Sequence, residues 1–144
     1  MFKVVGYEEK NKDEVVAFLK KAQATIEPDL EILARSTLIK DTDGVVGMVS
    51  YGVYGDMGII RYFLYDACLS GTDLIISLFF ELYKKAYSEG ISHLAIGVNG
   101  EEAKKLLGLL GFVTMGKSGP KALQELLHEY DQTMIINLDP TFLS

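Results

Sequence analysis

Four residues that come directly before a long apolar segment, Ser70, Gly71, Thr72 and Asp73, are of the types that begin a helix and can bind an anion. The backbone N–H groups of a helix N-terminus have no partner within the helix, and the helix dipole favours negative charge there. Glycine also lets the backbone approach a ligand closely, so a phosphate group suits this segment. Ser70 and Asp73 have the spacing of a capping box as well, and a helix cap without any ligand explains the same two residues.

Candidates for acid-base or nucleophilic chemistry are few, because the chain has two histidines and one cysteine. His93 has a side chain that can act as a base near neutral pH, although a hydrogen-bonded structural histidine is the commoner case. Tyr62 lies in an apolar strand-like segment, where tyrosines more often pack than catalyse. We take Tyr62 and His93 as the candidate catalytic residues, and we expect Cys68 to be a buried free thiol rather than a nucleophile.

Composition and charge exclude several classes of function. The 144 residues suit one domain, 1–144, and a formal net charge of −6 with only two arginines argues against binding to nucleic acid. The most apolar run, 74–80, is far shorter than the roughly 20 residues that cross a bilayer, and the N-terminal residues lack the pattern of a secretory signal. No cysteine and histidine cluster has metal-ligand spacing. We therefore expect a cytoplasmic protein with no metal, membrane or nucleic acid partner.

The periodicity of apolar residues predicts the elements that must position these side chains. Three consecutive strands with short turns predict an antiparallel meander, and a strand, a helix and a further strand at 92–115 predict a parallel crossover. The predicted strands are 2–7, 36–40, 45–54, 57–65, 92–98, 112–115 and 133–138, and the predicted helices follow Asn11 and span 28–33, 74–90, 101–110 and 121–130.

Alternation assigns the side chains of two strands to faces. In the fourth strand, Arg61, Phe63 and Tyr65 are expected on one face and the even positions 60–64 on the other. In the fifth strand the even positions are bulky and apolar, whereas His93, Ala95 and Gly97 form a slimmer face. A glycine within a strand often marks a close approach, which here is room for a ligand or for a packed helix.

The order of these elements, together with Ala103 eight residues before the pair Gly111-Phe112, resembles the GNAT superfamily of N-acetyltransferases over essentially the whole chain. The resemblance implies an α/β (α+β) fold with a mixed, mostly antiparallel sheet flanked by helices. It also implies that the sheet is splayed between the fourth and fifth strands, where the family binds acetyl-CoA.

The same resemblance implies transfer of an acetyl group from acetyl-CoA to a primary amine of a small molecule or peptide, and the acidic surface modestly favours a cationic amine. The pantetheine arm is expected along the main chain of the fourth strand and the diphosphate on the loop before the long helix. The residues that the resemblance assigns to acetyl-CoA are Phe63, Leu64, Tyr65, Ser70, Gly71, Thr72, Asp73, Leu74 and Asn99.

Two departures from the family pattern keep a second function open. Asp73 and Ile75 stand where the diphosphate loop usually has glycines, and Leu107 stands where many members have a tyrosine that protonates the leaving thiolate. These changes favour a non-catalytic GNAT-like domain for ligand sensing or protein association. Extra apolar residues on the long helix, such as Ile76 and Tyr87, are expected to be covered by the C-terminal segment or by a second copy in a homodimer.

Overall fold

The computed structural model describes residues 1–22, 27–69, 73–115 and 121–139. Within these ranges, one sheet with the strand order β1-β2-β3-β4-β5-β7-β6 is flanked by five α-helices. The strands are β1 (Lys3–Gly6), β2 (Ser36–Asp41), β3 (Gly44–Tyr54), β4 (Met57–Tyr65), β5 (His93–Val98), β6 (Val113–Thr114) and β7 (Gln132–Asn137). The helices are α1 (Lys12–Ala22), α2 (Leu30–Leu33), α3 (Leu74–Ser88), α4 (Glu101–Leu109) and α5 (Lys121–Leu126).

The pairing of the strands confirms the predicted mixed sheet. Neighbouring strands are antiparallel except for β4 and β5, which are parallel, and β2, β3 and β4 form the predicted meander. The predicted parallel crossover from β5 to β6 is confirmed, and β7 lies between the two strands and pairs with both. The two strands run in the same direction but are not neighbours, since the last strand of the chain inserts at this position.

The sheet is splayed between β4 and β5, as predicted. The two strands pair only at Met57↔His93, Gly58↔Leu94 and Ile59↔Ala95. Beyond these pairs β4 continues to Tyr65 alongside β3, while β5 continues to Val98 alongside β7. The strands therefore form a wedge with a closed end and an open end.

A bulge in β4 changes the faces of its side chains. Ser50 of β3 pairs with Tyr62 and the next residue, Tyr51, pairs with Ile60, so Arg61 is an extra residue without a partner on β3. Ile60 and Phe63 consequently pack on the same face, while Tyr62 packs on the opposite face. The prediction that Ile60 and Tyr62 share a face is wrong, because simple alternation holds only where the register is continuous.

The larger part of the core lies between the sheet and α3 and α4. Phe79 of α3 is its centre, with its ring 4.9 Å from that of Phe63 in an edge-on contact and 6.2 Å from that of Phe112. On the other face, α1 and α2 cover β2 and β3, while α5 packs on β4 and β5 where they still pair. Helices thus cover both faces around the wedge.

Helix α1 begins close to the predicted capping residues. The side chain of Asn11 accepts a hydrogen bond from the backbone N–H of Glu8 at 2.9 Å and donates one to Glu14 at 3.1 Å. A 3-10 turn, Glu9–Asn11, precedes the α-helix, so the helix starts one residue after Asn11. These contacts fix the angle at which α1 leaves β1.

The outer surface of α3 keeps two large apolar side chains exposed. Ile76 is 37% exposed and Tyr87 is 40% exposed, whereas Tyr83 of the same helix is buried. A homodimer through this surface remains a prediction. Among the described residues, no helix is long and apolar enough to cross a membrane.

Candidate functional site

The open end of the wedge is the candidate site, because it leaves one edge of β4 without a strand partner. Beyond Ile59, the edge of β4 that faces β5 has no pairing with that strand. An extended ligand with amide groups can hydrogen-bond to such an edge as another strand would. Three predicted coenzyme residues, Phe63, Leu64 and Tyr65, lie on this stretch. The structure therefore offers a main-chain surface of the kind that a pantetheine arm requires.

The N-terminus of α3 follows β4 after a short 3-10 turn at Ala67–Leu69. Asp73 is the N-cap residue and is exposed, and its side chain makes no cap hydrogen bond within the described part of the chain. Ser70, Gly71 and Thr72, the other predicted phosphate-binding residues, lie outside the described residues. Leu74 is partly buried and packs against the core, so its side chain has a structural role.

His93 is at the wrong end of the wedge for catalysis. It pairs with Met57 at the closed end, and its Nδ1 lies 2.8 Å from the hydroxyl of Ser92. Four residues of strand, at about 3.3 Å each, separate it from Gly97 at the open end. His93 therefore lies away from the open end, because the strands pair where β5 begins, and its role as a base stays a prediction that this position does not favour.

Tyr62 is placed beside the bulge, at the open end of the wedge. Its hydroxyl oxygen accepts a hydrogen bond of 3.1 Å from the backbone N–H of Asp29, the residue that caps α2. The hydroxyl is thus held by its acceptor side, which leaves its proton free to be donated elsewhere. Tyr62 remains a predicted catalytic residue.

Asn99, at the end of β5, is used to hold the segment that follows α5. Its side-chain oxygen accepts a 2.8 Å hydrogen bond from the backbone N–H of Asp131, and the Asp131 carboxylate accepts one of 3.3 Å from Gly100. The side-chain NH₂ group of Asn99 is not used in this contact, and its oxygen can accept a second hydrogen bond. Its role in binding acetyl-CoA stays a prediction.

Leu107 packs in the core between α3 and α4, with only 2% of its surface exposed. A nearby hydroxyl, that of Tyr83, donates a 2.7 Å hydrogen bond to the backbone oxygen of Leu110, and burial raises its pKa well above the usual value. Position 107 therefore supplies no acid here, and the Tyr83 proton is held by a structural hydrogen bond.

The contact between Arg61 and Tyr54 could not be predicted from the sequence. Because Arg61 is the extra residue of the bulge, its guanidinium reaches Tyr54, with Nη2 2.7 Å from the tyrosine oxygen and Cζ 5.5 Å from the ring centre. The only signal in the sequence is an arginine within the apolar segment 59–64. The result is a fixed positive charge on β4 beside the point where the wedge opens.

Cys68 is exposed, so the expectation of a buried thiol is wrong. Its backbone N–H donates a 3.0 Å hydrogen bond to the carboxylate of Asp66, which belongs to the turn after β4. Lost hydration and this neighbouring carboxylate raise the pKa of the thiol, which makes it a poor nucleophile. Within the described ranges no group of histidine, cysteine and carboxylate side chains is arranged to hold a metal ion.

The fold of this chain is similar to that of solved acetyltransferase structures. No family model and no curated protein matches the chain. The GNAT-family acetyltransferase of Streptococcus pneumoniae aligns with 96% of this chain and 100% of its own, with a TM-score of 0.72 and 17% identity. The GNAT-family acetyltransferase of Staphylococcus aureus Mu50 aligns over 96% and 100%, with a TM-score of 0.71 and 16% identity.

A third match carries ligands in its crystal. The N-acetylglutamate synthase of Neisseria gonorrhoeae, solved with coenzyme A and N-acetyl-glutamate, has a TM-score of 0.72 and 12% identity. The alignment covers 96% of this chain but 35% of the synthase, so this chain spans about a third of that protein. Together these matches show that the chain has the fold of the GNAT acetyltransferases, as the order of its elements predicted.

Proposed function

We propose that this protein is an acetyltransferase that uses acetyl-CoA to acetylate a primary amine of a small molecule or peptide. The observation that carries the proposal is the end of β4–β5 pairing at Ile59↔Ala95, which leaves the β4 edge open directly before α3 in a chain with the GNAT fold. Acetyl-CoA would supply the activated acyl group. The chain would bind acetyl-CoA mainly through backbone N–H and C=O groups. This binding would not depend on particular side chains.

In this proposal the chain supplies binding and orientation. The main chain of 63–65 would hold the pantetheine amides, and the N-terminus of α3 would face the diphosphate. Backbone N–H groups of β4 would stabilise the negative charge that develops on the thioester oxygen. Holding the amine nitrogen in line with the thioester carbon would let the C–N bond form as the C–S bond breaks, without prior transfer to the protein. The nitrogen would lose one proton to solvent or to a neighbouring group, and the departing sulfur would gain one, so the protons balance.

Tyr62 is the proposed proton donor to the departing thiolate. Tyr62 lies on β4 next to the bulge and its hydroxyl is fixed by the Asp29 N–H, whereas Leu107 is buried in the core and has no proton to give. We expect Tyr62→Phe to lower kcat at least tenfold, because a positioned acid contributes about 10²–10⁴ to a rate. The KM for acetyl-CoA should stay within about twofold, since the main-chain contacts are kept.

The experiment measures release of free coenzyme A from acetyl-CoA with a mixture of small primary amines and short peptides. Tyr87→Phe serves as a control, because Tyr87 is exposed on the C-terminal turn of α3. Amine-dependent release that falls in Tyr62→Phe but not in Tyr87→Phe supports the proposal. Equal kcat values for Tyr62→Phe and the unchanged protein would remove Tyr62 from the mechanism.

A second function, a non-catalytic domain that binds coenzyme A as a sensed ligand, is favoured by two observations. Leu107 is part of the core, and Asp73 places a carboxylate at the N-terminus of α3. Coenzyme A binding without any amine-dependent release would select this alternative.

A further inference from the structure

The slim face of β5 is covered by α5 and the turn that follows it. Leu123 and Leu127 pack on Ile59 and Ala95, at the last pair that joins β4 to β5, and all four side chains are buried. The sequence leaves open whether the small residues of β5 make room for a ligand or a helix. At Ala95 a helix takes that room.

One step further into the open end, the ring of Tyr130 lies on Gly97. A Cβ atom added to Gly97 would overlap the ring and would come within 2.8 Å even of its Cε2 atom. No side chain larger than hydrogen therefore fits at this position while the ring stays in place. Tyr130 is 37% exposed, so one part of the ring faces β5 and another faces solvent.

The ring is held in place by the backbone on both sides of it. The N–H of Tyr130 donates a 3.1 Å hydrogen bond to the carbonyl of Leu127, at the end of the α5 segment. The next residue, Asp131, is fixed by its 2.8 Å hydrogen bond to the side chain of Asn99. These contacts hold Tyr130 over β5 without any ligand.

Tyr130 lies on the face of the sheet opposite to α3 and α4. On the opposite face, Ile96 and Val98 of β5 pack into the core beneath α3 and α4. Gly97 points the other way, to the face on which Tyr62 of β4 also packs. An amine that reached a thioester held on β4 from this face would therefore approach on the side where Tyr62 and Tyr130 lie.

We infer that Tyr130 is a specificity-determining residue, which forms the wall of the amine-binding side and admits slender, unbranched primary amines rather than bulky ones. This inference rests on the proposed acetyltransferase function. The ring takes the space over Gly97, and Leu123 and Leu127 take the space over Ala95, so these side chains form the β5 side of the wedge on this face.

The test compares acetylation of ethylamine and benzylamine by the unchanged protein, Tyr130→Ala, Tyr130→Phe and Tyr87→Ala. We expect the unchanged protein to prefer ethylamine, and Tyr130→Ala to raise the ratio of the benzylamine rate to the ethylamine rate at least tenfold. Tyr130→Phe keeps the ring and should keep the ratio. Tyr87→Ala removes a tyrosine of similar exposure from α3, away from the wedge, and should also leave the ratio unchanged.

Calorimetry measures the coenzyme A affinity of the same four proteins. This measurement separates the inference about Tyr130 from the proposed acetyltransferase function. If coenzyme A binds all four equally and Tyr130→Ala leaves the ratio unchanged, the inference is overturned while the proposed function stands. The inference also fails if coenzyme A binds and no variant acetylates either amine. Failure of the unchanged protein to bind coenzyme A overturns the proposed function itself. Should Tyr130→Ala not fold, Tyr130→Leu replaces it, with the same direction of change expected.

Discussion

At the scale of single residues, Arg61 decides how β4 presents its side chains. As the extra residue of the bulge, it lets Ile60 and Phe63 share the core face and puts Tyr62 on the opposite one. If Arg61 were paired in a continuous register instead, alternation would place Ile60 with Tyr62. The position of the candidate acid therefore depends on one residue that takes no direct part in the proposed chemistry.

The Asp73 carboxylate would repel a diphosphate, which the N-terminus of α3 would otherwise attract. A carboxylate about 5 Å from a phosphate repels each of its charges by about 1 kcal/mol in water-like surroundings and about 3 kcal/mol at an effective dielectric constant near 20. We expect Asp73→Asn to tighten coenzyme A binding at least several-fold, measured by calorimetry. Its melting temperature should change little, because the Asp73 side chain makes no cap hydrogen bond among the described residues.

The control for this change is Asp13→Asn, which removes an exposed first-turn acid from α1 instead. It should leave coenzyme A affinity unchanged. If both substitutions have the same effect on affinity, the diphosphate does not bind at the N-terminus of α3.

A substitution at Leu107 tests whether this chain can hold a tyrosine at the position where many GNAT members have one. Because the Leu107 side chain is buried between α3 and α4, Leu107→Tyr should overpack the core and lower the free energy of unfolding by about 1–3 kcal/mol. Leu109→Tyr, on the same helix at a position 80% exposed, should cost nearly nothing. Urea unfolding of both variants measures the difference, and a Leu107→Tyr variant as stable as Leu109→Tyr would show that position 107 has free space.

At the scale of elements, the hydrogen bond from Tyr83 joins α3 to the C-terminal end of α4. Tyr83→Phe should lower the free energy of unfolding by about 1–2 kcal/mol, because it leaves the Leu110 carbonyl without this donor. Burial raises the pKa of Tyr83 above its usual value of 10, so the folded protein holds the proton more tightly than the unfolded chain. This stabilisation is complete below pH 10 and is lost as the pH rises above it.

Tyr83→Phe should therefore also lose less stability between pH 9 and pH 11 than the unchanged protein does. Thermal unfolding across that range measures the slope. Tyr87→Phe, an exposed tyrosine on the same helix, should keep the slope of the unchanged protein. Equal slopes for all three proteins would mean that folding does not raise the pKa of Tyr83.

The elements themselves could be read from the sequence, whereas their pairing could be read only in part. The strands 36–41 and 57–65 and the helix from Leu74 have strong apolar periodicity, and they occur within one or two residues of the prediction. The insertion of β7 between β5 and β6 depends on contacts between residues far apart in the chain, which local pattern does not encode. The helix predicted over 121–130 ends at Leu126, and the following turn brings the Tyr130 ring onto Gly97.

The candidate site was predictable to the extent that it consists of main chain. The stretch Phe63–Tyr65 follows from strand order, and the structure places it at the open end of the wedge. The position of His93 at the closed end of the wedge could not be predicted, because the sequence does not show at which end β4 and β5 pair. Tyr130 was not singled out, since a tyrosine four residues after the end of a short helix carries no signal of its own.

At the scale of the whole molecule, strands and helices surround the wedge between β4 and β5. The sheet is continuous from β1 to β4 and from β5 to β6, and the wedge separates these two parts beyond Ile59↔Ala95. The core under α3 and α4 lies on one face of the wedge, and α5 lies on the other. A ligand that bridges the two parts should therefore stabilise the whole domain.

The melting temperature of the protein with coenzyme A tests this account most directly. At about 100 times its dissociation constant, a bound ligand adds roughly 2.7 kcal/mol to the free energy of unfolding, which in a domain of this size raises the melting temperature by about 5–10 °C. Adenosine diphosphate, which lacks the pantetheine arm, should give a much smaller shift at the same concentration. We expect the larger shift with coenzyme A, and no shift at millimolar coenzyme A would mean that the open end of the wedge does not bind it.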